Sequence, residues 1–171
     1  MRIIGIDPGV ATIGIGVLDV LSQDQLHAND WLTIQTASGL PLAERLEEIY
    51  RDLSAFLEEC RPDLAVVERL FFATNEKTAL DVAHARGVIL LAVREHGIPF
   101  LEPTPLELKA GITGDGRADK RQVQDMLCHL LKLKEIPRPD DAADALALAA
   151  FGALHHKTLR LHSETKKWVA G

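Results

Sequence analysis

The sequence predicts an α/β fold, a mixed sheet with helices on both faces, and three observations carry that expectation. Residues 3–6 and 13–20 are apolar runs rich in β-branched residues, separated by Pro8 and Gly9, and they read as a hairpin of two buried strands. Residues 63–68 (Asp-Leu-Ala-Val-Val-Glu) form a short continuous apolar run, as a buried central strand does. Segments with apolar residues every three or four positions lie between and after these strands, which is the order of crossover helices on a sheet.

The hairpin places a carboxylate at a strand tip. Pro8 cannot donate to a ladder and Gly9 permits a turn, so the first strand must stop beside Asp7. Asp7 then either opens the turn as an Asx residue or serves a site. Residues 26–36, with Trp31, Leu32, Thr33 and Ile34, read as a third strand, antiparallel to the second. Leu42, Leu46, Ile49, Leu53, Phe56 and Leu57 mark an amphipathic helix with Pro41 in its first turn, ended by Arg61-Pro62. The strand at 63–68 again ends in an acid, Glu68.

A long helix is predicted over 75–96, apolar on more than one face and therefore buried on two sides, within the chain or against a second subunit. Ala79, Ala83 and Gly87 allow another backbone to come close. Residues 98–101 read as a short strand parallel to the one at 63–68. Pro103 and Pro105 break it, a helical turn through Leu106 and Lys109 follows, and 111–118 read as a flexible loop. Asp119 with Gln122 is a capping box that starts a helix striped by Val123, Met126, Leu127, Leu130 and Leu131. Pro137 and Pro139 precede a last helix from Asp140 to about His155. Residues 156–171 carry four basic residues against Glu164 and read as a polar, loosely held tail, so the domain proper is expected over 1–155.

The 171 residues suffice for one domain with a core of its own. Hydrophobic residues make up 47% and charged residues 26%, as in ordinary globular proteins. No apolar run reaches the roughly 18–20 residues of a membrane span, and no export signal is read at the N-terminus. Cys60 and Cys128, the two cysteines, read as reduced thiols, which makes the cytoplasm the expected location. The net charge of −6 argues against a polyanionic partner, but a cluster of acids in one site can mask a basic patch beside it.

Such a cluster is legible. Asp7 and Glu68 sit at strand tips, and Asp140, Asp141 and Asp144 open the last helix. Asp140 and Asp141 have a structural explanation as an N-cap and a first-turn acid. Asp144, set among Ala142, Ala143, Ala145, Leu146 and Ala147, has none, and it shares a helix face with Asp141. Carboxylates gathered from two strand tips and a helix repel one another, and a hard divalent cation such as Mg²⁺ relieves that. Two such cations roughly 3.5–4 Å apart stabilise the attacking and leaving oxygens of an in-line phosphoryl displacement.

Four stretches then fall in register. Gly-Ile-Asp-Pro-Gly at 5–9 with Gly-Ile-Gly-Val at 14–17, Val-Val-Glu-Arg-Leu-Phe-Phe at 66–72, Ala-Arg-Gly at 85–87 and Asp-Ala-Ala-Asp-Ala-Leu-Ala at 141–147 resemble the RuvC family of Holliday-junction resolvases, from residue 1 to about 155. The resemblance implies a ribonuclease-H-like fold. It also implies a homodimeric, Mg²⁺- or Mn²⁺-dependent endonuclease that nicks two strands of a four-way DNA junction symmetrically in recombination and repair. It places the metal-binding, catalytic acids on Asp7, Glu68, Asp141 and Asp144, with two cations per site. Some family members have His at the position of Asp141, which gives that position a softer role, and Asp140 falls outside the pattern. It assigns DNA contact to Lys109 and Lys120 and base stacking to Phe71. Arg117 and Arg121 flank Lys120 in the first turn of a helix, where free backbone N–H groups favour a phosphate. A RuvA–RuvB branch-migration complex is implied as a partner by the resemblance alone.

Three other readings stand beside it. A sugar-kinase or actin-type ATPase opens with a similar hairpin but needs a second half and a glycine-rich adenosine site. A nuclease of the same fold acting on RNA needs the same acids. A junction-binding module with a relic site is the non-enzyme reading, and the filling of all four acid positions argues against it. His84, His129, His155 and His156 read as surface, core or tail residues.

Overall fold

The computed structural model describes residues 1–22, 25–70 and 76–166. The strands are β1 (Arg2–Asp7), β2 (Thr12–Ser22), β3 (Gln25–Gln35), β4 (Leu64–Val67) and β5 (Phe100–Leu101). The helices are α1 (Leu42–Cys60), α2 (Glu76–Glu95), α3 (Pro105–Thr113), α4 (Lys120–Leu131) and α5 (Asp140–Lys166). The strands form one sheet in the order β3-β2-β1-β4-β5. β1, β2 and β3 are antiparallel neighbours, whereas β4 runs parallel to both β1 and β5.

Strand alternation divides the core in two. Ile4, Ile6, Ile13, Ile15, Val17, Ala65 and Val67 face one way and bury against Ile49, Leu53 and Leu57 of α1 and Ala85, Ile89, Ala92 and Val93 of α2. Ile3, Leu18, Leu64 and Val66 face the other way, against Leu108 and Ile112 of α3, Leu127 and Leu131 of α4 and the alanine-rich stretch of α5.

The α5 side owes its geometry to three glycines. Gly5 pairs with Gly16 across β1 and β2, and Gly14 pairs with Asp7. A Cβ on Gly5 would stand 1.8 Å from the Ala145 carbonyl oxygen, one on Gly14 1.9 Å from that of Asp141, and one on Gly16 2.4 Å from the Leu146 Cα. The backbone of α5 therefore lies directly on the backbone of the hairpin. Ala145 and Ala149 bring the smallest side chains compatible with a strong helix to that contact.

The elements differ from expectation at several ends. Pro41 occupies the N-cap of α1 rather than its first turn, and Arg61 closes that helix in the left-handed conformation. β5 pairs only at Phe100 and Leu101. The expected single turn after Pro105 is a nine-residue helix capped by a Thr104–Glu107 box, and only at Gly114 does the chain leave it. Gly111 is thus helical and not part of a loop. A Cβ there would meet the Phe151 ring at 2.5 Å, so the glycine serves close packing of α3 on α5. The Asp119–Gln122 box that starts α4 is present. α5 continues past His155 to Lys166, with no proline or glycine after Gly152 to stop it before that point. α2 buries one face within the chain. On its other face Leu80 and Leu91 are 66% and 52% exposed. No described helix is long and apolar enough to cross a membrane.

Candidate active site

Asp7 and Glu68 are brought together by register. Ile6 of β1 lies beside Val67 of β4 in a parallel pair, so the next residues, Asp7 and Glu68, leave the sheet side by side. The Glu68 N–H still reaches the Ile6 carbonyl, at a stretched 3.4 Å. Both follow residues of the α1–α2 face, so alternation turns both carboxylates toward α5. The turn after Asp7 is pinned from below. The Thr36 hydroxyl donates to the Val10 carbonyl at 2.6 Å, and Arg45 Nε donates to the Thr36 Oγ1 at 2.8 Å.

The N-terminal half of α5 completes the cluster. The Pro139 carbonyl accepts from the N–H groups of Ala142 and Ala143, so Asp140 is the first helical residue and not an N-cap. Asp144 joins Asp7 and Glu68 in lining a cleft of about 300 Å³, together with Lys109, Lys120, Pro105, Leu108, Val123, Ala147 and Leu148. Asp141 lies outside the lining of that cleft, although its charge is felt at Asp7.

The electrostatics are those of crowded acids. Burial, reinforced by the charges of Glu68, Asp144 and Asp141, pushes the Asp7 carboxyl up to about 7, against a smaller downward pull from Lys120. Glu68 is also raised, by burial and by Asp144, with Lys109 opposing. Lys120 Nζ stands 2.9 Å from the Asp144 Oδ2 and 3.4 Å from the Asp140 Oδ2. Burial alone would lower the Lys120 ammonium, but the hydrogen bond and charge of Asp144 outweigh it and the group is raised. One ammonium therefore offsets part of a larger negative charge.

Hard oxygen donors with surplus negative charge suit a divalent cation of the Mg²⁺ type. Among the described residues no three His, Cys, Asp or Glu side chains converge into a closed coordination shell, and Asp144 is engaged by Lys120 instead. The donor set fits such a cation, and its side chains would have to turn inward to hold one.

The predicted DNA-contact residues divide. Lys109 and Lys120 line the cleft. Arg117 and Arg121 are exposed outside it, and Arg121 pairs loosely with Asp125 at 3.9 Å along α4. Phe71 lies outside the described residues. Three features escaped sequence reasoning: the Gly5–Gly14–Gly16 surface, the Thr36–Arg45 support and Arg86. Arg86 Nε donates to the Glu68 carbonyl at 2.8 Å, and its Nη2 pairs with the Glu102 carboxylate. The Ala-Arg-Gly triplet drew attention to Arg86 without indicating what it touches.

A family model described as crossover junction endodeoxyribonuclease RuvC matches residues 3–152. The chain belongs to the RuvC family. The RuvC of Brevibacillus brevis is 46% identical over 167 residues, spanning 98% of this chain and 100% of that protein. The RuvC of Thermotoga maritima is 44% identical over 164 residues, 96% of this chain and 97% of that one. Among solved structures, Thermus thermophilus RuvC superposes with a TM-score of 0.86 at 33% identity, covering 92% of this chain and 96% of that one. The same protein in complex with a Holliday junction substrate gives 0.81 at 32% identity over the same shares. The yeast mitochondrial Holliday junction resolvase Ydc2 gives 0.64 at 14% identity, over 98% of this chain and 85% of that one, a likeness of fold alone. The sheet with helices on both faces is the ribonuclease-H-like fold of RuvC.

Proposed function

We propose that this chain is a crossover junction endodeoxyribonuclease that resolves four-way (Holliday) DNA junctions by paired, symmetric nicks in recombination and repair. The observation that carries the reading is the cleft where Asp7, Glu68 and Asp144 meet Lys109 and Lys120, on a chain matched along 92% of its length by a RuvC described in complex with a junction. In this reading Asp7, Glu68, Asp141 and Asp144 hold two Mg²⁺ ions, for which Mn²⁺ substitutes. Bound there, the cations supply charge stabilisation and a lowered pKa for the attacking water.

The chain's own residues do the rest. Lys109 and Lys120 attract and orient the scissile phosphate in a cleft that is otherwise acidic. Lys120 opens α4, whose Gln122 N–H is already taken by the Asp119 carboxylate, so its ammonium is what it offers the anion. The apolar wall of Pro105, Leu108, Ala147 and Leu148 limits bulk water around the reacting phosphodiester. Water adds to phosphorus, the bond to one sugar oxygen breaks, and a proton lost by the water ends on that departing oxygen, which leaves a phosphate on one side of the nick and a hydroxyl on the other. Arg117, Arg121 and Phe71 contact DNA beyond the cleft, Phe71 by stacking on a base.

A two-fold junction calls for a two-fold enzyme. The outward face of α2 suits a second copy: Leu80 and Leu91 are exposed, and a Cβ on Gly87 would meet nothing within 4 Å among the described residues. Residues 1–155 form the nuclease domain in this reading and 156–171 a basic tail on it. The setting is cytoplasmic, and a RuvA–RuvB branch-migration complex is the partner that family membership implies.

The test is cleavage of a synthetic mobile junction against linear duplex, with Mg²⁺, with Mn²⁺ and with EDTA. Paired nicks in the junction alone, dependent on metal, are expected. Asp7→Asn should lose the nicks and keep junction binding, and cleavage that persists in this variant would remove Asp7 from the ligand set. Cleavage of RNA or of plain duplex would overturn the substrate assignment.

A further inference from the structure

We infer that Arg86 is a positioning residue for Glu68, which sets how tightly the site holds a divalent cation. The inference rests on the reading of Glu68 as a metal ligand. Glu68 stands one residue beyond the β4 ladder, where its N–H bond to Ile6 is already stretched to 3.4 Å. Its carbonyl has passed the last strand residue, and among the described residues no strand supplies it a ladder partner. Arg86 supplies one, with Nε 2.8 Å from that oxygen. The same guanidinium pairs through Nη2 with Glu102, just past β5. The following peptide is tied on the other side, where the Arg69 N–H donates to the Pro103 carbonyl at 2.9 Å. The exits of β4 and β5 are thus clamped to each other and to α2, and the Arg86 side chain is only 16% exposed while doing so.

The fork geometry is what matters. A guanidinium presents donors in fixed directions and can serve a carbonyl and a carboxylate at once, whereas an ammonium on a flexible stem is a point charge. Arg86→Lys therefore keeps the charge beside Glu102 but not the two-point clamp. The location of Arg86 also matters: its neighbour Gly87 faces outward on the helix face offered to a second copy, so the clamp on Glu68 is built into the same turn of helix.

The experiment compares wild type, Arg86→Ala, Arg86→Lys and Glu102→Gln by three readouts. These are Mn²⁺ binding by calorimetry without DNA, the Mn²⁺ concentration for half-maximal junction cleavage, and junction binding in EDTA. Outer-shell partners of metal ligands typically change affinity or activity by about 10–100-fold. Because Arg86 holds the backbone of Glu68 and not its carboxylate, the lower end is expected, about tenfold weaker Mn²⁺ binding in Arg86→Ala and in Arg86→Lys. Glu102→Gln should fall between these and wild type. Junction binding in EDTA should stay within about twofold. Wild-type Mn²⁺ binding in Arg86→Lys would overturn the inference, because charge alone would then suffice. Loss of junction binding in EDTA in step with cleavage would overturn it too, by making Arg86 a general structural residue. If Arg86→Ala fails to fold, the Lys and Gln variants carry the same decision. Failure of the wild type to cut a junction would sink the functional reading separately, since the Mn²⁺ titration needs no DNA.

Discussion

Replacing Gly5 by alanine adds one methyl group, and its effect can be worked from the packing of α5. Alanine is ordinarily the better residue in a strand interior, by about 0.5–1 kcal/mol of backbone entropy. Here its Cβ would stand 1.8 Å from the Ala145 carbonyl oxygen and 2.6 Å from the Ala149 amide nitrogen. Both are helix backbone, which cannot rotate away as a side chain can. Restoring ordinary contact, which begins at 3.4 Å, moves the helix outward by about 1.6 Å. Overpacking costs about 1–3 kcal/mol, sometimes more, so the clash wins over the entropy gain. The same retreat carries Asp141 and Asp144 away from Asp7. A misplacement of about 1 Å at a reacting centre can cost about 100-fold in rate, so single-turnover nicking should fall by at least that factor. Urea melts and single-turnover cleavage of a labelled junction at saturating metal measure the two effects. Gly5→Ala that melts above wild type and cuts at the wild-type rate would refute the claim that α5 backbone on glycine backbone places the acids.

Two further outcomes are expected. The Asp7 carboxyl is held up at about 7 in the folded chain, chiefly by burial and then by its acidic neighbours, against about 3.9 when unfolded. Between those values the folded state binds more protons than the unfolded one. In EDTA, stability should therefore fall as pH rises from about 4 to about 7, by a few kcal/mol, and level off above that. Glu68 is shifted in the same direction and adds to the slope. Asp7→Asn should flatten the profile of thermal melts, and a wild-type midpoint that rises through this window would contradict the raised carboxyl. On α2, Leu91→Lys places a charge at a side chain already 52% exposed, so the monomer fold should be unaffected. Sedimentation at micromolar concentration should show dimers of wild type and monomers of the variant. A variant that still sediments as a dimer would move the second copy to another face.

Much of this architecture was legible because single residues dictate it. Pro8 and Gly9 end β1 beside Asp7 whatever else the chain does, and the Asp119–Gln122 box starts α4 by local hydrogen bonding alone. Lys109 and Lys120 were singled out by resemblance, and both line the cleft. What stayed hidden depends on long-range register. That Asp7 and Glu68 share a site was read from the acid pattern and the resemblance, but that they leave the sheet side by side follows from Ile6 lying beside Val67, which no local pattern encodes. Gly111 looked like loop punctuation because glycine favours turns, whereas here it makes room for the Phe151 ring. The Ala-Arg-Gly triplet marks Arg86, and only the fold carries it to the Glu68 carbonyl. The ammonium of Lys120 on Asp140 and Asp144, 20 or more positions further along the chain, is the same kind of fact.

The order in which the site is assembled along the chain has a consequence for the cell. Asp7 and Glu68 are made early, but Asp141 and Asp144 belong to α5, the last of the described helices in chain order. Until α5 has left the ribosome and settled on Gly5, Gly14 and Gly16, the growing chain has two of the four acids proposed for the site, and the sheet face bearing Ile3, Leu18, Leu64 and Val66 lacks its α5 cover. On the reading of Asp7, Glu68, Asp141 and Asp144 as the cutting site, chains that stop before α5 lack two of those acids together with the helix that covers Gly5, Gly14 and Gly16.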